Sequence, residues 1–179
     1  RRQLEDFAAG RSTAAFGDRY RSWEAGRHLA RLPAPPFFFL DRVLAAGPEP
    51  ARLRPGGWAE AEFDIRPEAW YVAAERTGAL PFCVLLESAL QTCGFLAAFL
   101  GSALKSPREL FFRNLDGSGE LERPLPPAGG RLRTRSRLTR VAETADLILE
   151  HFEFEVHDRR GRLYSGTAGF GFFTREALA

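Results

Sequence analysis

The chain of 179 residues contains no methionine, a single lysine and only two cysteines. Because no methionine is present to serve as an initiator, we expect the chain to be a segment of a longer, multidomain polypeptide. Cys83 and Cys93 are ten positions apart in one predicted helix, a rise of about 15 Å that exceeds the reach of a disulfide. We therefore expect two free, buried thiols and a reducing, cytoplasmic compartment.

A strong excess of charge is also missing, since 25 basic residues are balanced by 23 acidic ones. This balance predicts no nucleic-acid partner, because nucleic-acid binding needs a clear basic excess. Histidine is scarce as well. His28, His151 and His157 lack metal-ligand spacing with cysteines or carboxylates, so no metal site is expected.

Apolar residues, in contrast, make up 45% of the chain and include sixteen phenylalanines, which is sufficient for the core of one domain. Residues 1–32 are polar and helix-prone, and we expect them to form a lead-in arm outside that core. Residues 33–179 would then form a single domain.

The longest apolar run extends from Pro81 to Leu100 and contains no lysine or arginine. Proline suits the first position of a helix, and a helix that is apolar on nearly all sides must be covered by other structure. Glu87 and Gln91 near its middle would be costly inside a bilayer. The run therefore predicts a buried core helix and no membrane span.

Apolar runs and alternating patterns predict strands on both sides of this helix. Before the helix the predicted strands are 37–44 and 58–65, and after it they are 109–115, 131–140, 147–157 and 163–173. Turn-forming residues such as those at 116–119 separate them. This order predicts an α+β fold in which a curled antiparallel sheet wraps around one long central helix.

Glu87 and Gln91 are the best candidates for chemistry, because their i, i+4 spacing places them on one face of the core helix. A carboxyl in apolar surroundings has a raised pKa, as a general acid near neutral pH requires. The alternative is a structural glutamate that pairs with a nearby arginine. At the start of the helix, the backbone N–H groups of Cys83, Val84 and Leu85 are expected to lack intrahelical partners and could polarise a carbonyl.

Three separated stretches, 32–43, 59–70 and the core helix with Pro81, Glu87 and Gln91, resemble the bacterial 3-hydroxydecanoyl carrier-protein dehydratase/isomerase. Segments 81–102 and 110–117 are still more similar to the dehydratase domains of polyunsaturated fatty acid synthases and polyketide synthases. The resemblance covers roughly residues 30–175 and implies a hot-dog fold.

The resemblance also implies a reaction, the removal of water from a 3-hydroxyacyl thioester carried on the phosphopantetheine of an acyl carrier protein, with no further cofactor. In the family a histidine acts as base at C2, and an acidic residue on the core helix protonates the leaving hydroxyl. The two groups come from opposite halves of a hot-dog dimer or pseudo-dimer. Glu87 matches the acid, Gln91 its companion amide, and the backbone of residues 83–85 the group that polarises the thioester carbonyl.

One departure from the family matters, since residues 71–81, where the family histidine is expected, contain none. Glu75 is the nearest ionisable residue there, and a solvated loop carboxylate is its ordinary interpretation. We therefore expect a half-site completed by a neighbouring hot-dog domain, with a homodimer of the isolated fragment that has little activity. The alternatives are a catalytically silent structural domain and a hot-dog thioesterase in which Glu87 activates water.

Arg131, Arg133, Arg135 and Arg137 alternate along one predicted strand and share one face. Glu153 and Glu155 share a face of the next strand, so cross-strand charge pairs are the simplest interpretation. A docking surface for an acidic carrier protein is the alternative, and it requires several unpaired arginines.

Overall fold

A computed structural model of the protein describes residues 1–24 and 31–179, except for the side chains of Ser22 and Trp23. Within these described residues, six antiparallel strands form one sheet in the order β1-β2-β4-β5-β6-β3. The strands are β1 (Arg42–Gly47), β2 (Trp58–Asp64), β3 (Phe111–Leu121), β4 (Arg131–Glu143), β5 (Leu147–Asp158) and β6 (Gly161–Phe173). The helices are α1 (Arg2–Ala8), α2 (Ser12–Phe16), α3 (Arg21–Glu24), α4 (Trp70–Glu75) and α5 (Phe82–Leu100).

Helix α5 is the centre of the fold, as the sequence predicts. Pro81 lies at its N-cap, and Gly101 ends it with φ of +85°, a left-handed conformation that glycine adopts without a steric penalty. Leu85, Leu96 and Leu100 on its inner side are fully buried. Although Phe82–Leu104 is long and apolar enough to cross a membrane, 61% of its most apolar window is buried inside the protein. This burial is typical of a core helix.

The sheet wraps around α5 with one face inward, which confirms the predicted α+β architecture. Along β4 and β5 buried and exposed residues alternate, as a sheet with one covered face requires. The inward side chains are large and apolar, among them Leu132, Leu138, Phe152 and Phe154. Their contacts with α5 form the main hydrophobic core.

Two predicted strand boundaries are wrong. Residues 37–40 are not a strand, because the Phe39 N–H donates to the side chain of Gln91 (2.8 Å) instead of to a neighbouring strand. Residues 116–119 are not a turn, since β3 continues through them to Leu121 while it pairs with β6. Pairing along the sheet thus outweighs the local turn preference of residues 116–119.

The N-terminal segment is more than a lead-in arm. Leu4 and Phe7 of α1 are buried members of the core, and Phe16 of α2 packs against Phe95 of α5 with ring centroids 5.3 Å apart. The Tyr20 hydroxyl donates to the carbonyls of Ala98 and Phe99, at 2.8 and 2.9 Å. The expectation that residues 1–32 lie outside the core is therefore wrong for these side chains. The boundary between residues 32 and 33 remains a prediction.

The arginines of β4 lie on the outer face of the sheet and form ion pairs with β2. Arg133 contacts Glu60 at 2.6 Å, and Arg131 contacts Asp64 at 2.7 Å. Arg135 and Arg137 stand opposite Glu155 and Glu153 in register, as predicted, but they form no ion pair within residues 1–24 and 31–179. The cross-strand pairs therefore involve β2 instead of β5.

Candidate functional site

Glu87 and Gln91 lie side by side on α5, and the Gln91 amide is held from three directions. Its oxygen accepts the Phe39 N–H (2.8 Å), and its nitrogen donates to the Phe37 carbonyl (2.8 Å). The same nitrogen donates to Glu87 Oε1 at 2.9 Å. Because the two backbone contacts fix the orientation of the amide, Gln91 presents a donor to the Glu87 carboxyl.

The Glu87 carboxyl is partly desolvated. Burial raises its pKa above the ordinary value of a glutamate, and the hydrogen bond from Gln91 opposes this rise by stabilising the charged form. Among the residues that the structure describes, no arginine or lysine forms an ion pair with it. The structural interpretation in which Glu87 pairs with an arginine is therefore not supported, and a larger protonated fraction makes the group better suited to act as an acid.

Glu87 and Gln91 face a cavity of about 210 Å³ between α5, the sheet and the N-terminal segment. Its lining is mainly apolar and comprises Ser12, Tyr20, Arg31, Leu32, Pro33, Glu87, Leu90, Gln91, Gly94, Ala98, Gly101, Ala103, Leu104, Phe112, Asn114, Phe170 and Phe172. From Glu87 to Gly101 the helix rises about 21 Å. The cavity is therefore elongated along α5, and its shape and lining fit an extended apolar chain with a polar group near Glu87.

The start of α5 differs from the expectation. The N–H groups of Val84 and Leu85 both donate to the Pro81 carbonyl at 3.1 Å, so they are not free to bind a ligand. This corrects the proposed substrate contact for these two residues, which are also buried and do not line the cavity. Cys83 is exposed, contrary to the predicted buried thiol, whereas Cys93 is buried as expected.

No histidine of the described ranges 1–24 and 31–179 lines the cavity. His151 and His157 lie on β5, where His157 borders an open depression on the outer face of the sheet. His28 lies outside the described residues. Over the same ranges, no group of three or more histidine, cysteine, aspartate or glutamate side chains could hold a metal ion. The described cavity therefore contains an acid but no imidazole base.

The strand at one end of the sheet, β3, is largely exposed to solvent. Among the strands of the described ranges, β3 pairs with β6 alone, and its residues 113–121 are exposed. Leu115 and Leu121 are 49% and 40% exposed. Phe82, at the start of α5, is also exposed and packs edge-on against Tyr164 of β6 (5.6 Å between ring centroids). An edge strand with exposed apolar side chains is a ready surface for pairing with another chain.

Sequence reasoning missed two features of the structure. Ser12 and Tyr20 line the cavity, and no local pattern indicates that a polar N-terminal segment would do so. The second feature is the buried Glu150. The sequence does indicate its burial, because Glu150 alternates with Ile148 and Phe152 on the buried face of β5. Its side chain is 0% exposed, and burial raises its pKa to about 7.

A curled antiparallel sheet around one long helix defines the protein as a hot-dog domain, and comparison with solved structures agrees. The dehydratase heterocomplex ApeI:P from Xenorhabdus doucetiae matches with a TM-score of 0.60 at 15% identity, over 80% of this chain and 88% of that one. A probable thioesterase from Bartonella henselae matches with a TM-score of 0.51 at 14% identity, over 67% and 93% of the two chains. At such identities the likeness shows the fold alone.

Residues 32–161 match the model of the FabA-like domain, and the chain belongs to this family. A curated relative, one of the subunits of the polyunsaturated fatty acid synthase of Thraustochytrium sp. (strain ATCC 26185 / S-3), is 27% identical over 186 residues. The match covers 98% of this chain but 12% of that protein, so the chain spans a small part of the relative's length. The resemblance inferred from the sequence motifs is confirmed.

Proposed function

We propose that this domain binds 3-hydroxyacyl thioesters carried on the phosphopantetheine of an acyl carrier protein in the cytoplasm. In this proposal it supplies the acidic half of a dehydratase site within a polyunsaturated fatty acid or polyketide synthase. The observation that carries the proposal is the position of the Glu87 carboxyl, which lines an elongated apolar cavity. Its pKa is raised, and the Gln91 amide beside it donates a hydrogen bond to it.

The proposed chemistry is the elimination of water across C2 and C3 of the acyl chain. A base removes the C2 proton, the electron pair of that bond forms the C2–C3 double bond, and the C3–O bond breaks. The departing hydroxyl takes the proton of Glu87 and leaves as water, so the Glu87 carboxylate must be reprotonated for the next cycle. Gln91 is the positioning residue, since its amide stabilises the carboxylate that forms.

The base is proposed to come from a second hot-dog domain, because the described cavity holds no histidine. The exposed β3 edge and the apolar side chains of Phe82, Leu115 and Leu121 support such a partner. The second domain would be a neighbour in the intact synthase. The isolated fragment would form a homodimer with two acidic halves and little dehydratase activity. The Cys83 N–H remains the proposed backbone contact for the thioester carbonyl.

The test is dehydration of 3-hydroxyacyl carrier protein by the intact synthase and by the isolated domain, with the unsaturated product measured by mass spectrometry. We expect Glu87→Gln in the synthase to lower turnover by about 100-fold or more, as for the loss of a general acid. Glu153→Gln, an exposed glutamate on the outer face of β5, is the matched control and should keep full turnover. His28→Gln should also leave turnover unchanged.

Three outcomes would contradict the proposal, and two of them would favour a different function. Unchanged product formation by the synthase with Glu87→Ala would favour a purely structural domain. Release of free phosphopantetheine thiol and acid by the isolated domain, dependent on Glu87, would favour a thioesterase. Rapid dehydration by the isolated domain that Glu87→Gln does not slow would contradict the half-site.

A further inference from the structure

The N-terminal segment forms part of the cavity although it lies outside the part of the chain that matches the family. The FabA-like match begins at residue 32, whereas Ser12 of α2 and Tyr20 lie among the cavity-lining residues. Ser12 is 2% exposed and Tyr20 is 3% exposed, so both are covered by neighbouring structure. The family core alone would therefore leave this side of the cavity open.

The segment is attached firmly where it meets α5. The Tyr20 hydroxyl donates to the carbonyls of Ala98 and Phe99 near the end of the helix. Phe16 packs against both Phe95 and Phe99, with ring centroids 5.3 and 6.4 Å apart, and against Phe7 of α1 at 5.0 Å. Aromatic packing and buried hydrogen bonds of this kind hold the N-terminal segment in one position against α5.

The attachment lies far from the acid. Between Glu87 and Ala98 the helix rises about 17 Å. Ser12 lies one helical turn before Phe16 on α2, and Phe16 packs against Phe95 and Phe99 near the end of α5. A ligand whose C3 oxygen contacts Glu87 and whose tail follows the cavity along α5 would therefore reach Ser12, Tyr20 and Ala98 only with its distal carbons. These three residues are thus placed to contact the end of a long chain while leaving a short chain untouched.

We infer that the N-terminal helices form the distal wall of the cavity, and that Ser12, Tyr20 and Ala98 set the length of the acyl chain that the domain accepts. This inference rests on the proposed binding of acyl thioesters. It adds a determinant of specificity that lies apart from the proposed acid Glu87 and its positioning residue Gln91.

The test is the affinity of the domain, residues 1–179, for saturated S-alkyl pantetheine thioethers with chains of four, eight, twelve and sixteen carbons. Isothermal titration calorimetry would measure each affinity, since a thioether cannot be hydrolysed or dehydrated. Ser12→Phe fills the distal end from the N-terminal side, and Ala98→Leu fills it from the helix. Arg19→Phe is the matched control, because it adds the same bulky side chain at an exposed position of the N-terminal segment that does not line the cavity.

Each methylene that no longer fits loses about fourfold in affinity. For three excluded methylenes the longest fitting ligand should therefore bind about sixtyfold more weakly to both filled variants. The four-carbon ligand should bind all variants equally, and Arg19→Phe should keep the wild-type profile. Equal affinity of this four-carbon ligand also shows that the filled variants are folded.

A chain-length profile that neither Ser12→Phe nor Ala98→Leu changes would overturn the inference and leave the proposed function intact. Failure of the wild-type domain to bind any of the four ligands would overturn both. Loss of the four-carbon ligand together with the longer ones in both filled variants would also contradict a distal wall, because the side chains would then block the whole cavity.

Discussion

Replacement of Glu150 by glutamine should make the protein more stable at alkaline pH. The Glu150 side chain points inward from β5, opposite Val141 of β4 and Phe170 of β6. Neither carboxyl oxygen has a hydrogen-bond partner in the described part of the chain. The nearby Ser102 hydroxyl donates its proton to the Ala97 carbonyl (2.8 Å), so that proton is not available to a Glu150 carboxylate.

The expected magnitude follows from the pKa of this buried carboxyl. Burial raises the pKa from 4.5 to about 7, and the nearby Glu143 charge adds to the rise. Between these values the native state keeps a proton that the unfolded state has lost. The free energy of unfolding therefore falls as the pH rises from about 4.5, and the loss levels off above about 7 at a total of about 3 kcal/mol.

Urea denaturation followed by far-UV circular dichroism at pH 5, 6, 7 and 8 would measure this dependence. The variant should gain about 2.5 kcal/mol relative to wild type between pH 5 and pH 8. The difference between the two proteins isolates Glu150, because Glu87 also has a raised pKa but is present in both. Glu153→Gln, at an exposed position of the same strand, is the matched control. A constant difference between Glu150→Gln and wild type over this pH range would refute the reasoning.

Two further predictions concern the N-terminal segment and the Glu87–Gln91 pair. Phe7→Ala should lower the free energy of unfolding by about 3–5 kcal/mol, because Phe7 is 2% exposed, whereas Phe37→Ala, at a side chain 56% exposed, should have a much smaller effect. A loss below about 1 kcal/mol for Phe7→Ala would mean that α1 is not part of the core. Gln91→Leu should raise the pKa of Glu87 further, because the carboxylate loses its donor. A ¹³C NMR titration with Glu87→Gln for assignment would measure the change, and an unchanged or lower pKa would contradict the role given to Gln91.

The parts of the structure that local sequence determines were predictable. The length of α5 follows from an apolar run between Pro81 and Gly101, and the contact between Glu87 and Gln91 follows from helical spacing alone. The alternation of apolar and polar residues along β4 and β5 likewise shows which side chains face inward. In each case the relevant partners are close in sequence or repeat with the period of the element.

The parts that depend on distant contacts were not predictable. The Phe39 N–H donates to Gln91, 52 positions away, and residues 37–40 lie outside the sheet despite their strand-like composition. Residues 116–119 have the composition of a turn, yet pairing with β6 keeps them extended. The cavity itself depends on Tyr20 reaching Ala98, a contact between segments 78 positions apart. No periodicity in either segment encodes such a contact.

Glu87 and Glu150 are both desolvated carboxyls with raised pKa values, but their surroundings suit them to different roles. Glu150 is sealed at 0% exposure with no hydrogen-bond partner in the described residues, so any charge on it opposes folding and no ligand can reach it without a local opening. Glu87 lines the cavity, and Gln91 offers its carboxylate a donor. A general acid must be accessible to its ligand, and the carboxylate that forms when it gives up its proton must be stabilised. Of these two carboxyls Glu87 alone meets both conditions, so access to the cavity and the amide donor beside it support the proposal that Glu87 is the acid, which a raised pKa by itself would not do.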